Sequence, residues 1–109
     1  MFEYRAIITK VYDGDTVTAD IDLGFGVWVK KQKLRMMGIN APEIKGASRE
    51  LGLKSRDALR ERILNKSVVI KTKKDKKGKY GRWIADVYLD DESVNTWLIK
   101  KGFADKAKY

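Results

Sequence analysis

The 109 residues carry 24 Lys and Arg against 15 Asp and Glu, a net charge of +9 with a pI near 9.8. A surplus of that size gathers polyanions, nucleic acid before an anionic membrane surface, because the basic residues do not collect on one amphipathic helix. The absence of Cys and His excludes disulfides, thiolate nucleophiles, thiolate-bound zinc and imidazole bases, which leaves carboxylates, Arg, Lys, Tyr, hydroxyls and oxygen-ligated hard cations.

The length is that of one domain, 1–109, and 43% apolar residues suffice for one modest core. Residues 5–11 read as a β-branched strand. Asp13-Gly14-Asp15 supplies a turn, with Gly14 permitting the bend, and 16–23 alternate with period two, placing Val17, Ala19, Ile21 and Leu23 inward. Gly24-Phe25-Gly26 returns the chain into a third strand, Val27 to about Met37.

Gly38 to Glu43 breaks the pattern and contains the only proline, Pro42, which biases Ala41 to extended geometry. Ser48 is placed to cap a helix reaching about Leu64, with Leu51, Ala58, Leu59 and Ile63 on one face. Strands at Ser67–Lys71 and Trp83–Leu89 follow, separated by a loop in which Lys71–Lys79 holds six lysines in nine residues. A short helix after Ser93 turns Val94, Trp97 and Leu98 inward and stops at Gly102. The order β-β-β-α-β-β-α, mostly β with two helices (α+β), fits the five-stranded antiparallel barrel of the OB-fold, whose usual ligands are oligonucleotides and oligosaccharides.

Individual residues allow two readings each. Asp13 and Asp15 flank a glycine, either as ordinary turn chemistry or as two carboxylates aimed at one hard cation. Arg35 lies in an apolar stretch, either on the outer face of its strand or as a fork for a phosphate. Glu43 is either a solvated loop acid or a group that orients or deprotonates a water. Tyr80-Gly81-Arg82 is either a basic loop mouth or a second phosphate clamp with an aromatic neighbour.

Taken together and in order, Asp13-Gly14-Asp15-Thr16, Arg35 to Glu43, Lys79-Tyr80-Gly81-Arg82, Val94-Asn95 with Leu98, and Gly102-Phe103-Ala104 resemble the staphylococcal nuclease (thermonuclease) family over nearly the whole chain. The resemblance implies an OB-fold enzyme that uses Ca2+ to cut DNA and RNA with little sequence preference, leaving 3′-phosphate ends. It further implies Asp15 as a direct metal ligand, Asp13 near the metal through water, and Ala41 as a ligand through its backbone carbonyl. Glu43 then positions or activates the water, Arg35 and Arg82 bind the scissile phosphate, and Lys79 and Tyr80 contact a neighbouring phosphate.

Three departures stand out. The family's second metal-ligating carboxylate is Asn40 here, which removes a charge from the site, and its usual threonine at the next position is Ala41. The family's late aromatic substrate contacts are represented only by Tyr109. The expected partner is single-stranded DNA or RNA, with no membrane and no obligate protein partner. A cytoplasmic location is expected, since no apolar leader is visible in these residues. The competing reading is a non-catalytic OB-fold module that binds single-stranded nucleic acid.

Overall fold

The computed structural model describes residues 2–74 and 82–108. Strands β1 (Phe2–Asp13), β2 (Thr16–Asp22) and β3 (Trp28–Met36) form the meander expected from their alternation. A two-residue strand β4 (Ile39–Asn40) and a 3₁₀ turn (Gly46–Ser48) lead into helix α1 (Arg49–Ile63). Then come β5 (Ser67–Lys74), β6 (Trp83–Leu89), the two-residue β7 (Glu92–Ser93), α2 (Val94–Lys100) and the two-residue β8 (Asp105–Lys106).

The sheet order is β3-β2-β1-β5-β6-β7, and a further pairing of β3 with β6 closes it into a barrel. Closure leaves the long strands no free edge. The closing ladder, Leu34↔Trp83 through Met36↔Ala85, is parallel, so the five-stranded OB barrel is mixed where uniform antiparallel pairing was expected. A parallel contact needs a long connection between its partners. Here that connection is everything from β4 to β5, including α1.

Inside the barrel lie Ala6, Ile8, Val11, Val17, Ala19, Leu34, Met36, Ile70, Ala85 and Val87, with Leu59, Ile63, Val94 and Leu98 supplied by the two helices. Each large aliphatic side chain withdrawn from water here contributes about 1.5–3 kcal/mol before entropy is counted. Two inward assignments fail. Leu23 is 44% exposed because the chain leaves the barrel at Asp22, turning through Gly24, Phe25 and Gly26, all at positive φ. Leu51 is 60% exposed, because α1 faces inward with Gly52, Ser55, Leu59 and Ile63. Ala58 is only partly buried.

The register of β1 shifts twice against β2, between Ile8 and Lys10 and between Val11 and Asp13. The first shift leaves Thr9 and Lys10 both outside and brings Val11 into the core. Such bulges re-aim side chains and strengthen local twist. At the second shift Arg60 of α1 donates to the Val11 carbonyl from Nε at 3.3 Å and from a terminal nitrogen at 3.1 Å. The helix thereby braces the strand just before the Asp13–Asp15 turn.

Candidate active site

The turn between β1 and β2 is packed from behind. A Cβ on Gly14 would come within 2.7 Å of the Ala41 Cβ and 2.8 Å of the Ser55 Cβ, and the residue lies outside the left-handed region. Gly14 is therefore required for close approach, and the bend itself makes no demand for glycine. The same device recurs at Gly52, where a Cβ would meet the carbonyl of Glu43. Small residues on α1 thus bring the 41–44 loop and the 13–15 turn together. Ser48 precedes α1 but its hydroxyl does not cap the helix; it donates to the Glu43 carbonyl at 3.0 Å.

Asp15 is buried at the head of the turn. Its Oδ2 accepts the backbone N–H of Ala41 at 2.8 Å and its Oδ1 accepts the Thr16 hydroxyl at 3.0 Å. A terminal guanidinium nitrogen of Arg35 stands 3.4 Å from Oδ2. The same nitrogen donates to the Asn40 side-chain oxygen at 2.8 Å, and its twin donates to the Met36 carbonyl at 3.2 Å. Arg35 is only 4% exposed although it stands between the inward Leu34 and Met36, and so on the outer face of β3, where the Asp15 turn and Asn40 cover it. A buried guanidinium needs this kind of partnering, because an uncompensated charge out of water is costly.

Asp13 accepts the Asp15 backbone N–H at 3.0 Å. Its carboxyl is raised from the ordinary 3.8 to about 6, chiefly by burial, then by a side-chain hydrogen bond with Asp15 and by that residue's negative charge. The backbone N–H groups of Asp15 and Thr16 oppose the rise.

Thus Asp13, Asp15, Arg35, Asn40 and the backbone of Ala41 meet at one end of the barrel. Glu43 is exposed on the adjoining loop, three residues beyond Asn40. Arg82 is half-buried at the start of β6, next to the β3 ladder, and lines an open groove with Thr16. Lys79, Tyr80 and Tyr109, expected to contact substrate, lie outside the described residues. The β4–β8 ladder pairs Asn40 with Asp105 and carries the C-terminal segment onto the site loop, where the Ala107 N–H donates to the Gly38 carbonyl at 2.9 Å.

Asn95 belongs to the Val94-Asn95 block, and the sequence alone assigns it no role. It is 4% exposed; its side-chain oxygen accepts the Val87 N–H at 3.1 Å and its amide nitrogen donates to the carbonyls of Met37 (2.8 Å) and Ala85 (3.2 Å). It ties α2 to β6 and to the end of β3, just beyond Arg35. A polar residue at a position where helical periodicity expects an inward side chain was the available signal.

The side-chain groups here that could ligate a metal, the Asp13 and Asp15 carboxylates and the Asn40 amide oxygen, are all oxygens, which suits a hard divalent cation and no soft metal. Among the described residues no three acids gather to hold a metal ion. The amide of Asn40 keeps the donor type there while lowering the charge.

A small OB-fold barrel with a buried acid–guanidinium pair at a β-turn defines the class. Residues 33–109 match the family model described as staphylococcal nuclease homologue. The chain is 33% identical over 105 residues to a thermonuclease of Staphylococcus hyicus, covering 94% of this chain and 58% of that protein. It is 34% identical over 97 residues to an uncharacterized endonuclease of Haemophilus influenzae, covering 89% of this chain and 49% of that protein. The chain therefore belongs to the staphylococcal nuclease family. It spans about half to three-fifths of the length of these relatives.

Proposed function

We propose that this chain hydrolyses phosphodiester bonds of DNA or RNA with low sequence specificity, using Ca2+ and leaving 3′-phosphate ends. The observation that carries the reading is the buried Arg35 guanidinium, gripped between Asp15 and Asn40 at the head of the Asp13–Asp15 turn. Nothing in barrel folding calls for an ion pair there, since a well-packed apolar pair is often as stable.

Asp15, Asn40 and the Ala41 carbonyl would hold the cation, with Asp13 acting through water. Bound there, it supplies charge neutralisation and Lewis acidity at the diester. Arg35 and Arg82 bind the scissile phosphate and stabilise charge developing on its oxygens, the largest contribution a site of this kind makes. Glu43 orients the attacking water and takes its proton, a role that suits an exposed carboxylate on a loop fixed by Gly52. Lys79 and Tyr80 contact a neighbouring phosphate, and Tyr109 adds an aromatic contact.

The test is cleavage of labelled single-stranded DNA with calcium, with magnesium and with EDTA, beside Glu43→Gln. Calcium-dependent cutting that falls about 10²–10⁴-fold in the variant supports the reading. Binding without cutting at saturating calcium, equal in both proteins, overturns it in favour of a nucleic-acid-binding module.

A further inference from the structure

An open groove of about 520 Å³ runs across the outer faces of β1, β2 and β3 to the start of β6 and adjoins the acid–guanidinium centre at Thr16. Among the described residues its walls are Lys10, Tyr12, Thr16, Thr18, Lys33 and Arg82, three cations and no acid. The registers Lys10↔Thr18 and Thr18↔Lys33 set the two lysines in one cross-strand row on either side of a threonine. Adjacent strands lie about 4.8 Å apart, so the row spans roughly 10 Å at the backbone. Lys33 directly precedes the residue paired with Trp83, and Arg82 directly precedes Trp83, which extends the row to a third cation.

Lys10 joins this row because of the first bulge in β1. Without it Lys10 would share the parity of Ile8 and point into the barrel. The second shift leaves Tyr12 without a paired partner, on the outside and 48% exposed. Thr16 connects groove and centre, since its hydroxyl donates to the Asp15 carboxylate.

We propose that this groove is a subsite for single-stranded nucleic acid beyond the reacting phosphate. Lys10 and Lys33 pair with successive backbone phosphates, and Tyr12 stacks on an unpaired base. The cations supply charge complementarity to a polyanionic strand. The exposed Tyr12 ring favours unstacked bases over a duplex, whose bases remain paired and stacked. The assignment rests on the nuclease reading for the position of the reacting phosphate, while binding tests it separately.

The experiment compares wild type with the Lys10→Ser/Lys33→Ser double variant and with Tyr12→Ser. The substrates are a dinucleotide and a labelled DNA strand of about twelve nucleotides, within the span one such fold covers. For the longer strand the double variant should raise KM about tenfold at unchanged kcat, with dinucleotide cleavage unaltered. The slope of log KM against log salt should fall by about 1.4, two phosphate contacts at about 0.7 each. Tyr12→Ser should weaken binding about fivefold or more, and Tyr12→Phe should restore it.

Equal losses on both substrates, or an unchanged KM and salt slope, overturn the subsite. If the wild type does not cut, fluorescence anisotropy with the longer strand in EDTA decides. Weaker binding by the double variant then supports the groove while the nuclease reading falls; equal binding overturns the groove. Tighter wild-type binding to duplex than to single strand also overturns it.

Discussion

The guanidinium of Arg35 stands 3.4 Å from the Asp15 carboxylate, with side-chain exposures of 5% and 9%. Removing one member of such a pair leaves the other charged and out of water. Arg35→Met should therefore cost about 3–5 kcal/mol, toward the lower figure because Thr16 and the Ala41 N–H still bond Asp15. Arg35→Met/Asp15→Asn should recover part of the loss. Urea unfolding of both variants measures this, and a double variant no more stable than Arg35→Met would show that the pair is not coupled.

Gly52 inverts the usual ranking of helix residues. Alanine inside a helix ordinarily gains about 1 kcal/mol over glycine. Here the added methyl would meet the Glu43 carbonyl, and the contact is with backbone that cannot swing aside. Gly52→Ala should destabilise by about 1–3 kcal/mol, the range for overpacking. It should also lower cleavage by displacing the Glu43 loop. A higher melting temperature in this variant would mean that the loop yields freely.

The Gly52 position also shows what the sequence could reveal. Alternation predicts β2, which buries every second residue, while β3 and β6 are legible only as strand-like runs bounded by turns. Hydrophobicity points to Leu51 and Ala58 on the inward face of α1, whereas the structure turns Gly52 and Ser55 inward. Close approach of two loops selects glycine and serine there, and a small residue gives no hydrophobic signal. The bulges at Lys10 and Tyr12 were equally hidden, because a one-residue shift is a property of two strands together. Asp15, Arg35, Asn40 and Glu43 could be listed from the resemblance. That Arg35 is buried on the outer face of its strand, and which atoms it touches, needed the register of β3 against β2 and β6.

Asn95 makes three hydrogen bonds to buried backbone. Asn95→Ala leaves those groups without their side-chain partner, at about 1–3 kcal/mol for each that finds no other. Asn95→Asp is no remedy, because it loses the donors to Met37 and Ala85 and buries a charge. Both should lower stability by about 3 kcal/mol or more, read by urea unfolding. A loss below about 1 kcal/mol in Asn95→Ala would mean that water replaces the amide.

Asp13 has a carboxyl raised to about 6 in the folded chain against an ordinary 3.8. Between these values the folded state binds the proton more tightly than the unfolded state does. Its contribution is therefore fully present below 3.8 and is lost as pH rises through 6. Asp13→Asn keeps an oxygen for the Asp15 N–H and cannot ionise. Measured in EDTA, the variant should gain on the wild type as pH rises from 4 to 7, and the difference between them should be constant above that. A stability difference independent of pH would place the Asp13 carboxyl at its ordinary value.

Asn40 is the remaining departure with a measurable consequence. It faces Asp105 across the β4–β8 ladder, and directly opposed residues of an antiparallel pair share a face. Asn40→Asp adds a carboxylate beside Arg35 and Asp15, so calcium binding should tighten, since ligand charge helps set affinity. The same change places two acids opposite each other, which should cost up to about 1 kcal/mol in EDTA. Asp105→Asn on that background should return the stability without undoing the tighter binding. Calorimetric titration with calcium, with urea unfolding in EDTA, separates the two effects. Calcium affinity equal in wild type and Asn40→Asp would remove Asn40 from the ligand set. Half-saturation of the wild type in the low-micromolar range or below would show that the amide leaves the site strong.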